Sequence, residues 1–204
     1  MTYHSDRLLG GYALIFIGVL VWSWIDAADR VVWWLEASPA IAAFLFCAVC
    51  WRIFPLTVMT YSLLFLHSLL LLVGAHYTYA EVPLFNDLRD AFDLSRNHFD
   101  GVGHFAQGFV PALVIREFLK RTSPLQGGFW FYGLIILSTL GISAAYELLE
   151  YWGAITLEQE ADAFLAMQGD QWDTQKDMLL ALIGAVTSML CLSRWHDQQM
   201  MKKP

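Results

Sequence analysis

The chain has few charged residues and few cysteines for its length. Of its 204 residues only 15% are charged and 57% are hydrophobic, so it is too apolar for an ordinary soluble domain. With 12 basic and 19 acidic residues, it lacks the basic surface that nucleic-acid binding requires, and we expect no nucleic-acid partner. Its three cysteines all fall in apolar runs, and nothing in their placement implies a disulfide framework. The composition predicts a single membrane domain, residues 1–204, with the lipid bilayer around it.

Six apolar runs approach the length that crosses a bilayer as an α-helix, about 20 residues. We place these helices at residues 8–25, 34–51, 56–73, 102–119, 129–151 and 177–192. Glu36 and Pro39 then lie in the first turn of the second helix, where proline is tolerated. A short helix on the membrane surface is expected around residues 86–94. The predicted fold class is all-α, a polytopic integral membrane protein of about six transmembrane helices.

The basic residues divide unevenly between the two ends of the predicted helices. Eight of the 12 fall on the side of the termini: Arg7, Arg52, Arg116, Lys120, Arg121, Arg194, Lys202 and Lys203. The other four are Arg30, Arg89, Arg96 and Lys176. Because basic residues accumulate on the cytoplasmic side, we expect both termini in the cytoplasm of a bacterium. The two long polar loops would then lie on the periplasmic side of the inner membrane.

Ionisable residues gather at the periplasmic ends of the last three predicted helices. Asp100 and His104 are one helical turn apart, Glu147 and Glu150 share one helix face, and Asp177 begins the sixth helix. Such side chains are costly in lipid, so we expect them to face a protein interior or a wet cavity. The adjoining loops add four further members of this polar cluster: His76, His98, Asp170 and Asp173.

Histidine nitrogen and carboxylate oxygen are together typical ligands of a divalent metal ion. We predict Asp100, His104 and His76 as ligands of zinc or another divalent ion, with Glu147 or Asp177 completing the shell. A metal ion lowers the pKa of bound water and polarises a carbonyl or phosphoryl oxygen. Glu147 or Glu150 would act as the general base. The predicted function is binding of, or action on, a lipid-linked or envelope small molecule.

Other interpretations of the same residues stay open at this point. The polar cluster would also suit a water-filled vestibule in a small transporter or in a non-enzymatic envelope-stress component, although the sequence shows no internal repeat. A scaffold protein is the third interpretation. Asp170 and Asp173 would alternatively face water, with Asp173 or Thr174 capping the last helix. His67, alone in the third helix, is typical of a histidine hydrogen-bonded to a neighbouring helix.

Small residues on the predicted helices indicate close helix packing rather than a phosphate loop, because their spacing fits no glycine fingerprint. They are Gly101, Gly103 and Gly108, Gly141 with Ala145, and Gly184 with Ser188.

Several segments resemble known families. His76-Tyr77-Thr78-Tyr79-Ala80, His98-Phe99-Asp100-x3-His104, Glu147 with Glu150, and Gln168-Gly169-Asp170-x-Trp172-Asp173 are similar to the YjdF-type inner membrane proteins, a bacterial family of unknown function. The resemblance covers nearly the whole chain. The second half is more distantly similar to the VanZ-like membrane proteins, some of which are linked to glycopeptide resistance. Those proteins usually carry a glutamine after the glutamate and an arginine before the aspartate, where this chain has Glu150 and Lys176 nearby. The first resemblance implies an inner membrane protein and the second a membrane protein, and neither supplies an activity.

Overall fold

The computed structural model describes residues 3–157 and 168–201, with side chains for residues 6–156 and 168–201. These residues form seven helices and no strand: α1 Tyr3–Trp24, α2 Arg30–Ile53, α3 Val58–Tyr77, α4 Pro83–Ala91, α5 Phe99–Thr122, α6 Gly128–Leu157 and α7 Asp173–Met201. Five of them (α1, α2, α3, α6 and α7) are long and apolar enough to cross a membrane. The predicted all-α membrane fold is confirmed. The short helix expected around residues 86–94 is α4, and each longer helix exceeds the apolar run that predicted it.

The central helix α5 is not one of the five helices that are apolar enough to cross a membrane by themselves. It packs against α3, α6 and α7, and it carries charged residues near both of its ends, from Asp100 to Arg121. A helix enclosed by other helices contacts protein instead of lipid, so its surface need not be apolar. Four ionisable side chains of α5 are accordingly buried inside the bundle: Asp100, His104, Arg116 and Glu117.

Helix α2 begins four residues earlier than the sequence predicted. Asp29 caps it by accepting hydrogen bonds from two backbone N–H groups of the first turn, at 2.7 and 2.9 Å. Pro39 consequently lies inside the helix, so the prediction of a first-turn proline was wrong. Proline deprives the carbonyl group of Leu35 of its helical donor. The hydroxyl group of Ser38 replaces that donor, at 2.8 Å from the carbonyl oxygen.

Helices α5 and α7 pack so closely that backbone meets backbone. A Cβ atom on Gly108 would lie 1.8 Å from the carbonyl oxygen of Ala181, and one on Gly184 would lie 2.1 Å from that of Phe105. The predicted glycine packing is confirmed at these two positions. It is wrong for Gly141, because no described atom outside its own helix backbone lies within 4 Å of its Cβ position. The α5–α7 contact fixes the position of the two helices relative to each other along the bundle axis.

Contacts at the helix ends place both ends of the described chain at one end of the bundle. Trp51 donates to Asp6 at 3.3 Å, which joins the end of α2 to the start of α1. The backbone N–H group of Met59 donates to Gln199 at 3.0 Å, which joins the start of α3 to the end of α7. We call this the termini end, and we call the opposite end, where Asp100 and Asp177 lie, the site end. Between them is an apolar core cluster of Met59, Ala112, Leu113, Phe131, Ile135, Ala185 and Met189.

Candidate metal centre and adjoining cavity

Three of the predicted site residues meet at the site end, two from α5 and one from α7. One ligand atom from each of Asp100, His104 and Asp177 lies within 4.8 Å of the other two. Nε2 of His104 is 3.4 Å from Oδ1 of Asp100 and 4.0 Å from Oδ2 of Asp177, and all three side chains are buried. Zinc bonds of about 2.0–2.1 Å in tetrahedral geometry hold ligand atoms about 3.3 Å apart. The group therefore fits a small divalent ion after a shift of at most about 1.5 Å by Asp177.

The helix geometry explains why these three side chains meet. Asp100 and His104 share one face of α5 because they are four residues apart. Gly108 is four residues beyond His104, and Ala181 is four residues beyond Asp177. The backbone contact between Gly108 and Ala181 therefore lies one turn from the group on both helices. This contact brings the carboxylate of Asp177 within reach of the imidazole.

The other nitrogen of His104 is also occupied. Its Nδ1 atom is 3.1 Å from Oε1 of Gln107 and 3.7 Å from Oε1 of Glu147. A proton on Nδ1 that is donated to Gln107 leaves the lone pair on Nε2, which is the nitrogen that faces Asp100 and Asp177. The predicted ligand or base Glu147 thus lies beside the ring nitrogen that points away from the metal position. Its buried Oε1 atom has no hydrogen-bond partner among the described residues.

Arg96 covers the acidic group on its loop side. Its guanidinium group is 3.8 Å from Asp100 and 3.6 Å from Asp170, and it forms an ion pair with Asp173. Burial opposes the charge on Arg96, but the hydrogen bond to Asp173 and the nearby carboxylates raise the pKa of the guanidinium group overall. A hydrogen bond from Lys176 lowers the pKa of Asp170. Asp173 is therefore buried and paired, whereas the sequence left a water-facing role open for it, and the role of Arg96 was missed.

Two histidines of the predicted cluster lie outside this group. Nδ1 of His76 donates to the carbonyl oxygen of Ser23 at 3.1 Å, and its ring packs on Trp22 with 4.4 Å between ring centroids. His98 directly precedes α5 and is exposed. Because neither side chain belongs to the group formed by Asp100, His104 and Asp177, we leave both out of the ligand set below.

A cavity of about 60 Å³ adjoins the group, bordered by α2, α3, α5 and α6. Glu36 and His67 line it together with Asp100, His104 and Glu150. Glu36 is only 3% exposed, yet neither of its carboxylate oxygens has a hydrogen-bond partner among the described residues, and the same holds for Nε2 of His67. The prediction of a hydrogen bond from His67 to a neighbouring helix is therefore not met at Nε2. The sequence contained one indication that Glu36 belongs to a functional site, because it is an acidic residue within an apolar run of its helix.

A second buried polar cluster lies at the termini end, and its carboxylate, unlike that of Glu36, is fully hydrogen-bonded. The fully buried carboxylate of Glu117 accepts hydrogen bonds from the backbone N–H of Thr57 at 2.9 Å, the hydroxyl of Thr60 at 2.8 Å and Nε2 of His196 at 3.2 Å. Arg116 is also fully buried and donates to Asp197 at 2.8 Å. Because Glu117 is saturated with donors from α3 and α7, we assign it to holding these helices on α5. The sequence placed Arg116 on the side of the termini but did not predict these pairings.

The fold and site define a class: an all-α integral membrane protein with a buried carboxylate–histidine group near one end. The chain belongs to the family described as "Predicted membrane protein (DUF2238)", whose model matches residues 8–198. It is similar to the inner membrane protein YjdF of Escherichia coli (strain K12), with 44% identity over 193 residues, 95% of this chain and 92% of that protein. The resemblance to the YjdF-type proteins is thereby confirmed, and the VanZ-like resemblance stays a prediction. No solved structure matches the chain significantly.

Proposed function

We propose that the protein binds a divalent metal ion through Asp100, His104 and Asp177 and uses it to bind or act on a lipid-linked or envelope substrate. The observation that carries this proposal is the meeting of two buried carboxylates and one imidazole from α5 and α7 within 4.8 Å. Buried charges require compensation, and Arg96 also serves Asp170 and Asp173. A cation between the three side chains supplies the remaining positive charge, and the mixed nitrogen and oxygen donors suit zinc or a similar ion.

The two glutamates of α6 take different roles in this proposal. Glu150 lines the cavity beside Asp100 and His104, where it can accept a proton from a metal-bound water. Glu147 lies 3.7 Å from Nδ1 of His104, beyond hydrogen-bond distance, so its negative charge would increase the basicity of the imidazole while Gln107 orients the ring. Glu150 is therefore the general base of the proposed site, and Glu147 acts through His104.

A transport vestibule is the competing function, and the packing of the bundle argues against it. A transport path would need polar side chains that continue from the site end to the Glu117 cluster. Along α5 and α7 the side chains between these clusters include Leu113, Ala185 and Met189, which belong to the apolar core cluster. The cavity thus supports a local binding site at one membrane face better than a path across the bilayer.

The charge asymmetry supports a periplasmic position for the site. Arg116 and Lys120 lie at the termini end, where both contact Asp197, and Arg121 contacts the connection between α2 and α3 there. Lys202 and Lys203, which also entered the sequence count, lie outside the described residues. Since basic residues mark the cytoplasmic side, both termini would be cytoplasmic, and Asp100 and Asp177 would lie toward the periplasm of the inner membrane.

Elemental analysis of the detergent-purified protein tests the metal site. We expect about one divalent ion per chain in the wild type and its loss in His104→Ala, because imidazole nitrogen is a principal metal ligand. His98→Ala is the matched control, since this exposed histidine lies six residues earlier on the same chain segment and should leave the metal content unchanged. Absence of metal from the folded wild type after incubation with zinc would overturn the proposal.

A further inference from the structure

The cavity beside the metal position presents hydrogen-bond acceptors that have no donors. Both oxygens of Glu36 are buried without a partner among the described residues, although the side chain is only 3% exposed. At the other end of the bundle, Glu117 is buried equally deeply and receives donors on both oxygens. Unpaired buried acceptors are costly. The contrast indicates that a ligand entering the cavity supplies the hydrogen-bond donors for Glu36, whereas the protein itself supplies those for Glu117.

We propose that this cavity binds a primary ammonium group, held by Glu36, from a molecule whose other polar group reaches the metal position. The inference rests on the proposed function and names the substrate class for the same site. Asp100 and His104 border both the cavity and the metal position. If the ammonium group of a molecule lies in the cavity, an oxygen atom a few bonds away in the same molecule is therefore within reach of the metal.

The chemistry of the cavity wall selects an ammonium group over other ligands. A primary ammonium group brings three N–H donors and no acceptor, and its hydrogen bonds to carboxylates are strengthened by the opposite charges. The rings of Tyr79 and Tyr146 line the same cavity, and aromatic rings attract cations. Phosphate or carboxylate groups would instead face Glu36 and Glu150 and be repelled. A quaternary ammonium carries the charge but no N–H donor, so it would leave Glu36 unpaired.

The size of the cavity agrees with a small group. A water molecule needs about 10–15 Å³ of such space, so a cavity of about 60 Å³ accepts roughly four to six non-hydrogen atoms. An aminoethyl group fits within that limit. A primary ammonium group occurs both in lipid headgroups and in soluble amines, and binding measurements with both kinds of ligand distinguish the two sources.

The test is isothermal titration calorimetry on the detergent-purified full-length protein loaded with zinc. The probes are ethanolamine, choline and a short-chain phosphatidylethanolamine. We expect saturable binding of both primary amines and at least about tenfold weaker binding of choline, because the charged hydrogen bonds to Glu36 are lost. Tighter binding of the short-chain lipid than of ethanolamine assigns the ammonium group to a lipid headgroup, and the reverse order assigns it to a soluble amine. Equal affinity for ethanolamine and choline would overturn the proposal, and so would the absence of binding by both ethanolamine and the short-chain phosphatidylethanolamine.

Variants separate this inference from the metal proposal. Glu36→Gln should weaken ethanolamine binding by at least about tenfold while the metal content stays at one ion per chain. The exposed acid Glu81 provides the control variant Glu81→Gln, which should bind ethanolamine as the wild type does. Unchanged ethanolamine binding in Glu36→Gln would refute the ammonium site alone. Selective amine binding by a wild type that holds no zinc would refute the metal proposal and leave the ammonium site standing.

Discussion

Gly108 of α5 lies directly against the backbone of Ala181 in α7, at a position where a Cβ atom would approach the carbonyl oxygen to 1.8 Å. The contact is one helical turn beyond His104 and Asp177, which are the residues that bring the two helices into the candidate metal group. The same glycine therefore serves both packing and site geometry. Separating the helices at this point would move Asp177 away from the imidazole.

Gly108→Ala should destabilise the protein and weaken metal binding. The new methyl group meets backbone, which cannot rotate away, and overpacking of this kind costs about 1–3 kcal/mol or more. Thermal unfolding in detergent, followed by circular dichroism, measures the first effect, and metal content measures the second. Gly141→Ala is the control, because its Cβ position has no described atom within 4 Å outside the backbone of its own helix and alanine favours the helix. Equal stability of the two variants would contradict the close α5–α7 contact.

Glu117→Ala should be among the most destabilising single substitutions. It leaves His196 and the Thr57 backbone N–H group without their carboxylate, and removal of one partner from a buried ionic cluster costs about 3–5 kcal/mol. Denaturant unfolding in mild detergent measures the difference, with exposed Glu81→Ala as the control. A loss for Glu117→Ala no greater than that of the control would show that the cluster does not hold α3 and α7 on α5.

Gln107→Leu should reduce metal affinity while the protein remains folded. The substitution removes the acceptor that lies 3.1 Å from Nδ1 of His104, and loss of such an orienting partner typically costs about 10–100-fold in affinity. Competition with a chelating dye measures the affinity. Gln107→Glu keeps an acceptor at the same place and should bind metal at least as well as Gln107→Leu does. Wild-type affinity in Gln107→Leu would mean that another group orients the imidazole.

The membrane orientation can be tested independently of the site. A green fluorescent protein fused to the C-terminus should fluoresce, and alkaline phosphatase fused there should be inactive, because basic residues accumulate on the cytoplasmic side. Alkaline phosphatase inserted after Leu94, in the connection between α4 and α5, should be active. The opposite pattern at both positions would place Asp100 and Asp177 on the cytoplasmic side.

The sequence was sufficient for the fold class and for part of the site. Long apolar runs predicted the spanning helices, but most of their ends were placed too far inward because helices such as α7 continue through polar residues, as at Asp173 and His196. The i, i+4 spacing of Asp100 and His104 is a local property, so it was readable from the sequence. The prediction that Asp177 would lie beside them rested on its position at a helix start.

The remaining features depend on contacts between residues distant in sequence. The pairing of Arg96 with Asp173 spans 77 positions, and the bond between His196 and Glu117 spans 79. No local pattern specifies such pairs. Glu36 was misplaced because the sequence did not show that α2 begins with the cap at Asp29. His76 was included in the ligand set because it was predicted to lie in a loop on the same membrane face as the site, whereas it lies in α3 and its ring packs on Trp22.

Metal titration is the most direct test of the central claim that Asp100, His104 and Asp177 bind one ion together. Zinc would be titrated calorimetrically into chelator-stripped wild type and into Asp177→Asn, with thermal unfolding confirming that both are folded. We expect one zinc site per chain in the wild type. In Asp177→Asn we expect a loss of zinc affinity that exceeds the roughly 100-fold limit typical of residues outside the ligand set. Equal zinc binding by the two proteins, or no binding by the wild type, would contradict a shared site at these three residues.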